Sequence, residues 1–532
     1  GGVYVASSGT FAMNGGAVSG NSSYYGGGVY VASSGTITMN DGAVSGNSSS
    51  YGGGGVYVYG GTFTMRGGAV SGNSSSSYYS SYGGGVYVAS SGTFTMNDGA
   101  VSGNSSSSYG GGVYVASSGT FAMNGGAVSG NSSSYGGGVF VEGGTFTMRG
   151  GAVSGNSSSS YSSYGGGVYV YGGTFTMNDG AVSGNSSSYY GGGVYVASSG
   201  TFTMNDGAVS GNSSSSYGGG VFVNYGTFTM SGGAVSGNSS SSGGGVYSGG
   251  TFTMNDGAVS GNSSTSGGGV YVASSGTFTM SGGAVSGNLL SGANSYAREV
   301  FLNGTFKISG SARPERIFLA NNARTITIAG SLSGEPIAVD LDITGGALAD
   351  WVVKPILRLD SSYSQGNMAS LKDHFTLENA TLTTSPYTET PITGYRISDT
   401  GLLMESDSDI VCFYDGAWTL QPDGRRKSPS PGDGNVTKSR ISITSTAANQ
   451  VITIQLDVSS EKDYDYAFIS TLDNSSATYS SGYFTGSNIS GETSVTVTIP
   501  VPTVGSHFID IGYRKDAATS AGSDCAWFKV IE

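Results

Sequence analysis

The stretch Gly110-Gly-Gly-Val-Tyr-Val-Ala-Ser-Ser-Gly-Thr-Phe-Ala-Met-Asn-Gly-Gly-Ala-Val-Ser-Gly-Asn131 recurs with small changes through the first half of the chain. Every copy ends in Val-Ser-Gly-Asn, and eleven copies follow one another at spacings of 24 to 31 residues. This period predicts a solenoid, because each copy is too short to bury its own apolar side chains and must stack on its neighbours. The asparagines that end the copies are Asn21, Asn47, Asn73, Asn104, Asn131, Asn156, Asn185, Asn212, Asn238, Asn262 and Asn288.

Three segments of each copy have the composition of β-strands. In the fourth copy they are Val86-Tyr-Val88, Thr93-Phe-Thr-Met96 and Ala100-Val-Ser102. Val, Thr, Tyr and Phe fit a pleated sheet, whereas the density of glycine and the lack of a 3.6-residue apolar period exclude helices. Parallel pairing of each strand with its equivalent in the next copy predicts an all-β fold. Specifically, we expect a three-faced parallel β-helix, wound right-handed as parallel crossovers are.

Alternation along these strands separates an inner set of side chains from an outer set. The valines of Val-Tyr-Val, the Phe and Met of Thr-Phe-Thr-Met and the valine of Ala-Val-Ser point inward. The tyrosine and the threonines point outward. The predicted core therefore repeats Val, Val, Phe, Met and Val in each coil.

The Gly-Gly-Gly-Val-Tyr-Val segment, preceded by Val-Ser-Gly-Asn, resembles the Gly-Gly-Ala-Ile and Phe-x-x-Asn repeats of polymorphic outer-membrane proteins. It is also similar to bacterial surface proteins built from right-handed β-helix coils. The resemblance covers residues 1 to about 290. It implies a β-helix fold and a secreted bacterial protein that is extracellular or at the cell surface.

Two further regions follow the regular coils. Residues 289–410 keep strand-like segments but lose the repeat, as the closing coils of a solenoid do when they shield its core from water. Residues 411–532 have the spacing and alternation of an antiparallel β-sandwich. The predicted domains are a regular β-helix at 1–288, irregular coils with a cap at 289–410, and a C-terminal sandwich at 411–532.

The charge of the chain restricts its partners. The net charge is −13 and the first 290 residues hold few charges, so no basic stripe is present to displace phosphate counterions. We expect no nucleic acid partner. No stretch approaches 18 consecutive apolar residues, so no membrane span is expected. The sequence opens within a coil, and since sheet edges are normally covered, we expect more coils, a cap or a neighbouring subunit there.

The chain has two cysteines, Cys412 and Cys525, both in the last region. A disulfide between them would suit an oxidising compartment. Two unpaired buried thiols are the alternative.

Ten of the eleven tag asparagines precede Ser-Ser, which is the pattern of an N-glycosylation acceptor. We favour an asparagine ladder, in which each amide bonds the next coil. Each tag follows a strand at a bend, where backbone groups need partners.

The aromatic residue of each Val-Tyr-Val strand is expected to stack outward as an exposed ladder. Such a ladder either stiffens the rod through cross-strand pairs or offers a flat platform to sugars or to another rod. Spacer tyrosines such as Tyr78, Tyr79 and Tyr82 are expected over this face or against a neighbour. The ladder comprises Tyr4, Tyr30, Tyr57, Tyr87, Tyr114, Phe140, Tyr169, Tyr195, Phe222, Tyr247 and Tyr271.

Threonines form a second outward pattern. Nine coils carry Thr-x-Thr, as at Thr62 and Thr64, and two coils place Ala12 or Ala122 second. Regular outward threonines resemble the ice-binding face of some antifreeze solenoids. The preference of threonine for strands explains the pattern equally well.

Residues for catalysis are scarce in the repeats. Most acids there lie in Asn-Asp-Gly turns, where aspartate bonds the local backbone, and Arg66 is expected to pair with Asp41 or Asp98. No histidine precedes His374, and no catalytic triad, zinc spacing, phosphate loop or calcium repeat is present. We therefore predict no catalytic residues, no cofactor, no metal and no enzyme activity.

One acidic cluster, Glu461, Asp463 and Asp465, lies in the last region. We interpret it as a solvated loop in preference to a Ca²⁺ site.

The sequence thus predicts an extracellular, adhesin-like or fibre-forming structural protein with a rigid β-helical stalk. The expected partners are copies of itself, joined head to tail or side by side, or glycans of a host or cell surface. The alternative is a carbohydrate-binding or polysaccharide-degrading β-helix, and an ice-binding solenoid is a minor alternative.

Overall fold

The repeats stack into a parallel β-solenoid in the structure of this chain, which is a computed structural model. No α-helix occurs in the residues that the structure describes. The all-β parallel solenoid predicted from the repeats is confirmed. The described residues are 1–77, 80–160, 163–291, 299–320, 324, 326–341, 357–359, 374–377, 410–416, 419–420, 426–427, 436–445, 450–459, 466–469, 493–501, 505–514 and 525–530.

The first sheet is built from the Val-Tyr-Val segments. Successive strands pair in parallel and in register, so that Tyr87 lies between Tyr57 and Tyr114. The sheet continues beyond the regular repeats. Its strands are Val3–Val5, Val29–Val31, Val56–Val58, Val86–Val88, Val113–Val115, Val139–Glu142, Val168–Tyr171, Val194–Ala197, Val221–Asn224, Val246–Ser248, Val270–Val272, Val300–Leu302, Arg316–Leu319, Ile337–Leu341 and Phe375–Leu377.

The second sheet contains both the Thr-Phe-Thr-Met and the Ala-Val-Ser segments. In the first two coils they form one bulged strand, and in later coils a glycine-containing turn separates them. The strands are Thr10–Ser19, Thr36–Ser45, Thr62–Met65, Ala69–Ser71, Thr93–Met96, Ala100–Ser102, Thr120–Met123, Ala127–Ser129, Thr145–Met148, Ala152–Ser154, Thr174–Met177, Ala181–Ser183, Thr201–Met204, Ala208–Ser210, Thr227–Met230, Ala234–Ser236, Thr251–Met254, Ala258–Ser260, Thr277–Met280, Ala284–Ser286, Thr305–Gly310, Arg313–Pro314, Ile326–Leu332 and Leu357–Leu359.

A further ladder starts directly after each tag asparagine, in residues that the sequence analysis treated as spacer. Ser74 pairs with Ser48 on one side and with Ser105 on the other. Backbone pairing here needs no apolar side chain, which is why composition did not indicate a strand. The strands are Ser22–Tyr25, Ser48–Gly52, Ser74–Ser75, Ser105–Ser106, Ser132–Ser133, Ser157–Ser158, Ser186–Ser187, Ser213–Ser214, Ser263–Ser264 and Leu289–Leu290.

The core contains the inward side chains that alternation selected. In the fourth coil Val86, Val88, Phe94, Met96 and Val101 are all 0% exposed. The phenylalanines stack along the axis, with ring centroids of neighbouring coils 4.6–5.0 Å apart. Each buried side chain of this size contributes about 1.5–3 kcal/mol, so the solenoid gains stability coil by coil.

The described strands of the C-terminal region form two antiparallel sheets. One contains Ile410–Gly416, Val436–Ser445, Gly505–Arg514 and Tyr466–Ile469. The other contains Thr419–Leu420, Arg426–Lys427, Cys525–Val530, Gln450–Ser459 and Thr493–Val501. That these sheets pack as a sandwich, that domain boundaries fall at 288 and 410, and that the solenoid winds right-handed stay predictions.

Candidate functional site

The tag asparagines form a continuous column inside the solenoid. The backbone N–H and Nδ2 of Asn104 donate to Oδ1 of Asn131 in the next coil, at 2.9 and 3.0 Å. Nδ2 of Asn104 also donates to the carbonyl oxygen of Val70 in the preceding coil, at 2.9 Å. The same bonds begin at Asn21 and recur up to Asn262, which bonds Asn288. Each inner amide therefore joins three coils.

Burial distinguishes between the two interpretations of these asparagines. From Asn47 to Asn288 no member of the column is more than 1% exposed. Attachment of a glycan requires a surface asparagine with a free amide nitrogen, whereas Nδ2 here is buried and donates to two acceptors. The geometry favours the ladder.

The aromatic residues of the first sheet stack along the solenoid as the sequence analysis expected. Ring centroids of neighbouring coils lie 4.6–5.4 Å apart. The column extends further than predicted, because Phe301 and Phe318 continue it after Tyr271. We call this set, from Tyr4 to Phe318, the first aromatic column.

The prediction that this column is exposed is wrong for its centre. Tyr4 is 69% exposed, and Tyr30, Tyr87, Tyr247 and Tyr271 are half-buried. The remaining members of the predicted ladder are buried, at 2–8% exposure: Tyr57, Tyr114, Phe140, Tyr169, Tyr195 and Phe222.

A second aromatic column explains this burial. It consists of the tyrosine that directly precedes the glycine run of a coil, and it lies over the first column. The ring of Tyr82 lies 4.9 Å from that of Tyr114 in the next coil, so this spacer tyrosine lies over the aromatic face as expected. Tyr78 and Tyr79 lie outside the described residues. Tyr25, before the second glycine run, lies over Tyr57 in the same way, with ring centroids 5.0 Å apart. The members of the second column that are linked by parallel bridges are Tyr82, Tyr109, Tyr135, Tyr164, Tyr190 and Tyr217. A tyrosine before most of the Gly-Gly-Gly runs was the signal for it in the sequence.

Burial between the two columns changes the acidity of the tyrosines. Loss of hydration raises the pKa of Tyr195 to about 12, against the lowering effect of a hydrogen bond from Asn224 Nδ2 to its hydroxyl. Burial also raises the pKa of Tyr114, whose hydroxyl donates to Glu142. These phenols are neutral at physiological pH, and the two columns therefore form an uncharged aromatic layer.

Over part of the first column, serines replace the covering tyrosines of the second column. Tyr217 lies over Tyr247, with ring centroids 4.7 Å apart, but the next two residues of the covering position are Ser242 and Ser266. By the same offset of one coil, these serines lie where rings would cover Tyr271 and Phe301. We call Tyr271 and Phe301 the open strip; both rings are half-buried.

The open strip consists of two stacked rings with polar neighbours. The rings of Tyr271 and Phe301 have centroids 4.6 Å apart and an interplanar angle of 9°, so they stack face to face. The side chain of Asn303 forms a hydrogen bond with Tyr271, and Ser242 and Ser266 occupy the covering position in the register of the strands. A contiguous apolar surface bordered by polar groups is typical of an interaction site.

The threonines of the second sheet form two half-exposed columns on its outer side, in register from coil to coil. Beside them the structure shows an exposed row of asparagines that the sequence analysis missed. Asn124 Nδ2 donates to Asn97 Oδ1 at 2.8 Å, and Asn205 Nδ2 to Asn178 Oδ1 at 2.8 Å. Ice binding by the threonine columns stays a prediction, which a thermal hysteresis measurement would test.

The acids of the repeats bind their own turns. Asp98 Oδ1 accepts the N–H of Gly99 at 2.7 Å, and Asp41 does the same for Gly42. The predicted ion pair of Arg66 with Asp41 or Asp98 is absent from the described coils, because these carboxylates are held by the backbone. Among the described residues no group of three or more His, Cys, Asp or Glu side chains is arranged to hold a metal ion.

Several predictions concern side chains outside the described residues. Cys412 and Cys525 belong to strands of different sheets, and their side chains are among those not described. Their disulfide stays a prediction. Glu461, Asp463 and Asp465 also lie outside the described residues. No helix in the described part of the chain has the length and apolar character of a membrane span.

Comparison with known proteins yields little sequence similarity. No family model matches the chain, and no curated protein matches it. A solved structure that matches is the enzymatically active domain of tailspike protein 4 of bacteriophage CBA120, at 11% identity and a TM-score of 0.20. The match covers 94% of this chain and 64% of the tailspike domain, so the chain spans less than two thirds of that domain. A likeness at this TM-score assigns no activity to the open strip.

The comparison nevertheless corrects one prediction. The lack of histidine in the repeats and the turn-bound aspartates led us to predict that the chain is not an enzyme. The tailspike domain that it matches is described as enzymatically active. Excluding catalysis from the composition of the repeats was therefore wrong, and the exclusion is withdrawn.

Proposed function

We propose that this chain acts outside the cell as a rigid β-solenoid that binds a glycan along the open strip. The observation that carries the proposal is the replacement of covering tyrosines by Ser242 and Ser266, which leaves the stacked, half-buried rings of Tyr271 and Phe301 without a tyrosine at the covering position. In the centre of the solenoid the same column is closed, so the open part is a local feature and not a property of every coil.

The chemistry of the strip matches that of a sugar. A pyranose ring has an apolar C–H face and a rim of hydroxyls. The apolar face packs on an aromatic ring, and the hydroxyls bind polar groups at the edge of the ring. The strip supplies both, with the exposed parts of the Tyr271 and Phe301 rings as the apolar surface and Ser242, Ser266 and Asn303 as polar neighbours.

The solenoid also holds the rings in place before a ligand arrives. The two rings lie on neighbouring strands of one sheet, which pair in parallel and in register. Ordering flexible side chains at an interface costs about 0.5–1.5 kcal/mol each, and rings that are already stacked avoid much of this cost. Because the rings repeat along the axis, the strip favours an extended oligosaccharide over a single sugar.

The test restores the missing cover. Ser242→Tyr and Ser266→Tyr together place rings where the second column would continue, and they should close the strip without disturbing the core. Wild type is expected to bind extended glycans on an array of plant, bacterial and host polysaccharides, and the double variant is expected to lose this binding. Thr229→Tyr adds a tyrosine to the second sheet and serves as the control.

Either of two results would end the proposal: wild type binds no glycan of the panel, or the closed variant binds as well as wild type. Chromatography of the same glycans after incubation measures whether binding is accompanied by cleavage, and this part of the experiment is independent of the array.

A second candidate function is assembly of rods side by side, as expected for a fibre-forming or adhesin-like protein. The observation in its favour is the pair of half-exposed threonine columns, which run along the regular coils without a charged side chain. Thr176→Lys with Thr203→Lys would place repelling charges on this face. Sedimentation measures the result. Assemblies that form in wild type but not in the variant would support side-by-side assembly, whereas a monomeric wild type would contradict it.

A further inference from the structure

The asparagine ladder ends at Asn288, and the residue that receives its last hydrogen bonds is a glutamate. The backbone N–H of Asn288 donates to Glu299 Oε1 at 3.2 Å, and Nδ2 donates to Glu299 Oε2 at 2.5 Å. In the preceding coil the same two donors of Asn262 bind Oδ1 of Asn288. Glu299 is 3% exposed. Its carboxylate therefore stands in for the oxygen of a next asparagine.

Glu299 occupies a position that is glycine in the regular coils. It directly precedes Val300, whose strand pairs with that of Val270, and the residue before Val270 is Gly269. A Cβ atom on Gly269 would lie 2.7 Å from Nδ2 of Asn288, the asparagine that ends the same coil. Glycine is thus required at this position wherever the coil ends in a tag asparagine.

The coil that begins at Glu299 has no such asparagine. Pro314 pairs with Val285 of the preceding coil, and after Glu315 the chain enters the strand Arg316–Leu319 at once. No residue of this coil reaches the asparagine column. The steric reason for glycine is absent here, and the space beside Asn288 is filled by the side chain of Glu299.

We propose that Glu299 terminates the asparagine ladder and makes the closing coil of the regular solenoid sensitive to pH. Termination follows from the hydrogen bonds, since without Glu299 the buried N–H of Asn288 would lose its acceptor, and Nδ2 would keep only the carbonyl oxygens of Val259 and Ser286, at 3.0 and 3.3 Å. Sensitivity to pH follows from the chemistry of the terminator, because every other acceptor in the column is an amide oxygen that does not titrate.

Among the described residues around Glu299, one other side chain is a carboxylate. Glu315 lies on the strand-end that packs beside the ladder, and its Oε2 accepts the N–H of Gly287 at 3.3 Å. The groups that face Glu299 from the ladder and from the glycine run, Asn288 and Gly269, are uncharged, and Arg298 lies outside the described residues. Loss of hydration on burial raises the pKa of Glu299; the bonds from Asn288 lower it and the charge of Glu315 raises it.

The direction of the pH effect follows from this balance. A carboxyl group whose pKa is higher in the folded than in the unfolded chain takes up protons on folding, so low pH favours the folded state. Its contribution is complete below the pKa of an unfolded glutamate, about 4.3, and is lost as the pH rises through the higher folded-state pKa. We therefore expect the closing coil to loosen from mildly acidic toward neutral pH.

The experiment measures amide hydrogen exchange of the full chain between about pH 4 and about pH 8, the range that spans this titration, with rates corrected for intrinsic exchange. Peptides covering Asn288 and Val300 report on the closing coil, and peptides from the central coils report on the rest. In wild type, protection of the closing coil should fall several-fold over this range while the centre stays unchanged.

Three variants test the two parts of the proposal. Glu299→Gln keeps an acceptor oxygen but does not ionise, so the fall in protection should disappear; Glu335→Gln removes one exposed charge and should behave as wild type. Glu299→Ala should expose the Asn288 amide to exchange several-fold faster than in Glu299→Gln, or prevent closure of the coil altogether. A pH response that persists in Glu299→Gln, or wild-type protection of Asn288 in Glu299→Ala, would overturn the proposal.

Discussion

The aromatic face of the solenoid is closed in its centre and open at Tyr271, although both parts are built from the same repeat. In the centre Tyr114 is 2% exposed, stacked on Phe140 and covered by Tyr82. In the open strip Tyr271 is stacked in the same way, but a serine takes the place of the covering ring. One spacer residue per coil thus decides whether the column is interior packing or available surface.

The comparison also separates two roles for aromatic residues on one sheet. Covered rings contribute area burial and aromatic pairs, and each pair adds about 0.5–1.5 kcal/mol beyond the buried area. Rings of the open strip are less buried and contribute less to stability, and in the proposed function they contact the ligand. The experiments below test this division in order of expected effect.

The largest difference should come from truncating one ring in each part. Tyr114→Ala removes a buried ring and its hydrogen bond to Glu142, and we expect a loss of about 3 kcal/mol in the free energy of unfolding. Tyr271→Ala removes a half-buried ring and should cost about half as much or less. Denaturant unfolding followed by circular dichroism measures both. Equal losses would show that the open strip is packed as tightly as the centre.

The next effect concerns the interior ladder beneath both parts. Asn156→Ala deprives the two donors of Asn131 of their acceptor, and we expect a loss of about 2 kcal/mol or more because these donors stay buried. The matched control is Asn124→Ala in the exposed asparagine row, for which a change within about 0.5 kcal/mol is expected. The same unfolding measurement applies, and a similar cost for both variants would contradict the ladder's role.

A smaller effect is expected from opening the closed centre. Tyr190→Ser copies the serine of the open strip at a place where a ring now lies 4.9 Å from that of Phe222. We expect a loss of about 1 kcal/mol in stability and new glycan binding at the exposed rings, measured on the array used for wild type. If the variant is destabilised but gains no binding, exposure of stacked rings is not what creates the site.

The smallest effect is on titration of the buried phenols. Burial raises the pKa of Tyr195 to about 12, above the ordinary value of about 10. The folded chain therefore binds the phenolic proton more tightly, and this contribution to stability is lost as the pH rises from about 10 through about 12. The absorbance difference between wild type and Tyr195→Phe should titrate with a midpoint near the higher value. A midpoint near 10 would mean that the ring is solvated.

The repeat allowed most of the solenoid to be predicted. Each inward position recurs in phase in eleven copies, so alternation selected residues such as Phe94 and Met96, which are fully buried. The asparagine ladder was predictable for the same reason, since a polar residue that recurs at a bend has an identical residue one coil away as its nearest partner. Periodicity works here because stacking turns spacing along the chain directly into contact in space.

The burial of the outer tyrosines was not predictable from alternation. Alternation states on which side of the sheet Tyr114 lies, and it does lie on the outer side. Whether that side meets water depends on the path of the spacer, which brings Tyr82 over the ring of the next coil. That path is set by contacts between coils, and no local pattern within one copy records it.

Glu299 shows the same limit at a single residue. In the sequence it is a charged residue at a position that is glycine in the regular coils. The inward alternation, the strand register and the ladder asparagines can all be predicted from the repeat without it. Its role depends on the absence of an asparagine sixteen residues later, at Glu315, where the chain turns directly into the next strand. Only the stacking of one coil on the next shows that this missing asparagine would have been the partner of Asn288. The partners of a buried polar group in the ladder come from neighbouring coils and not from its own segment.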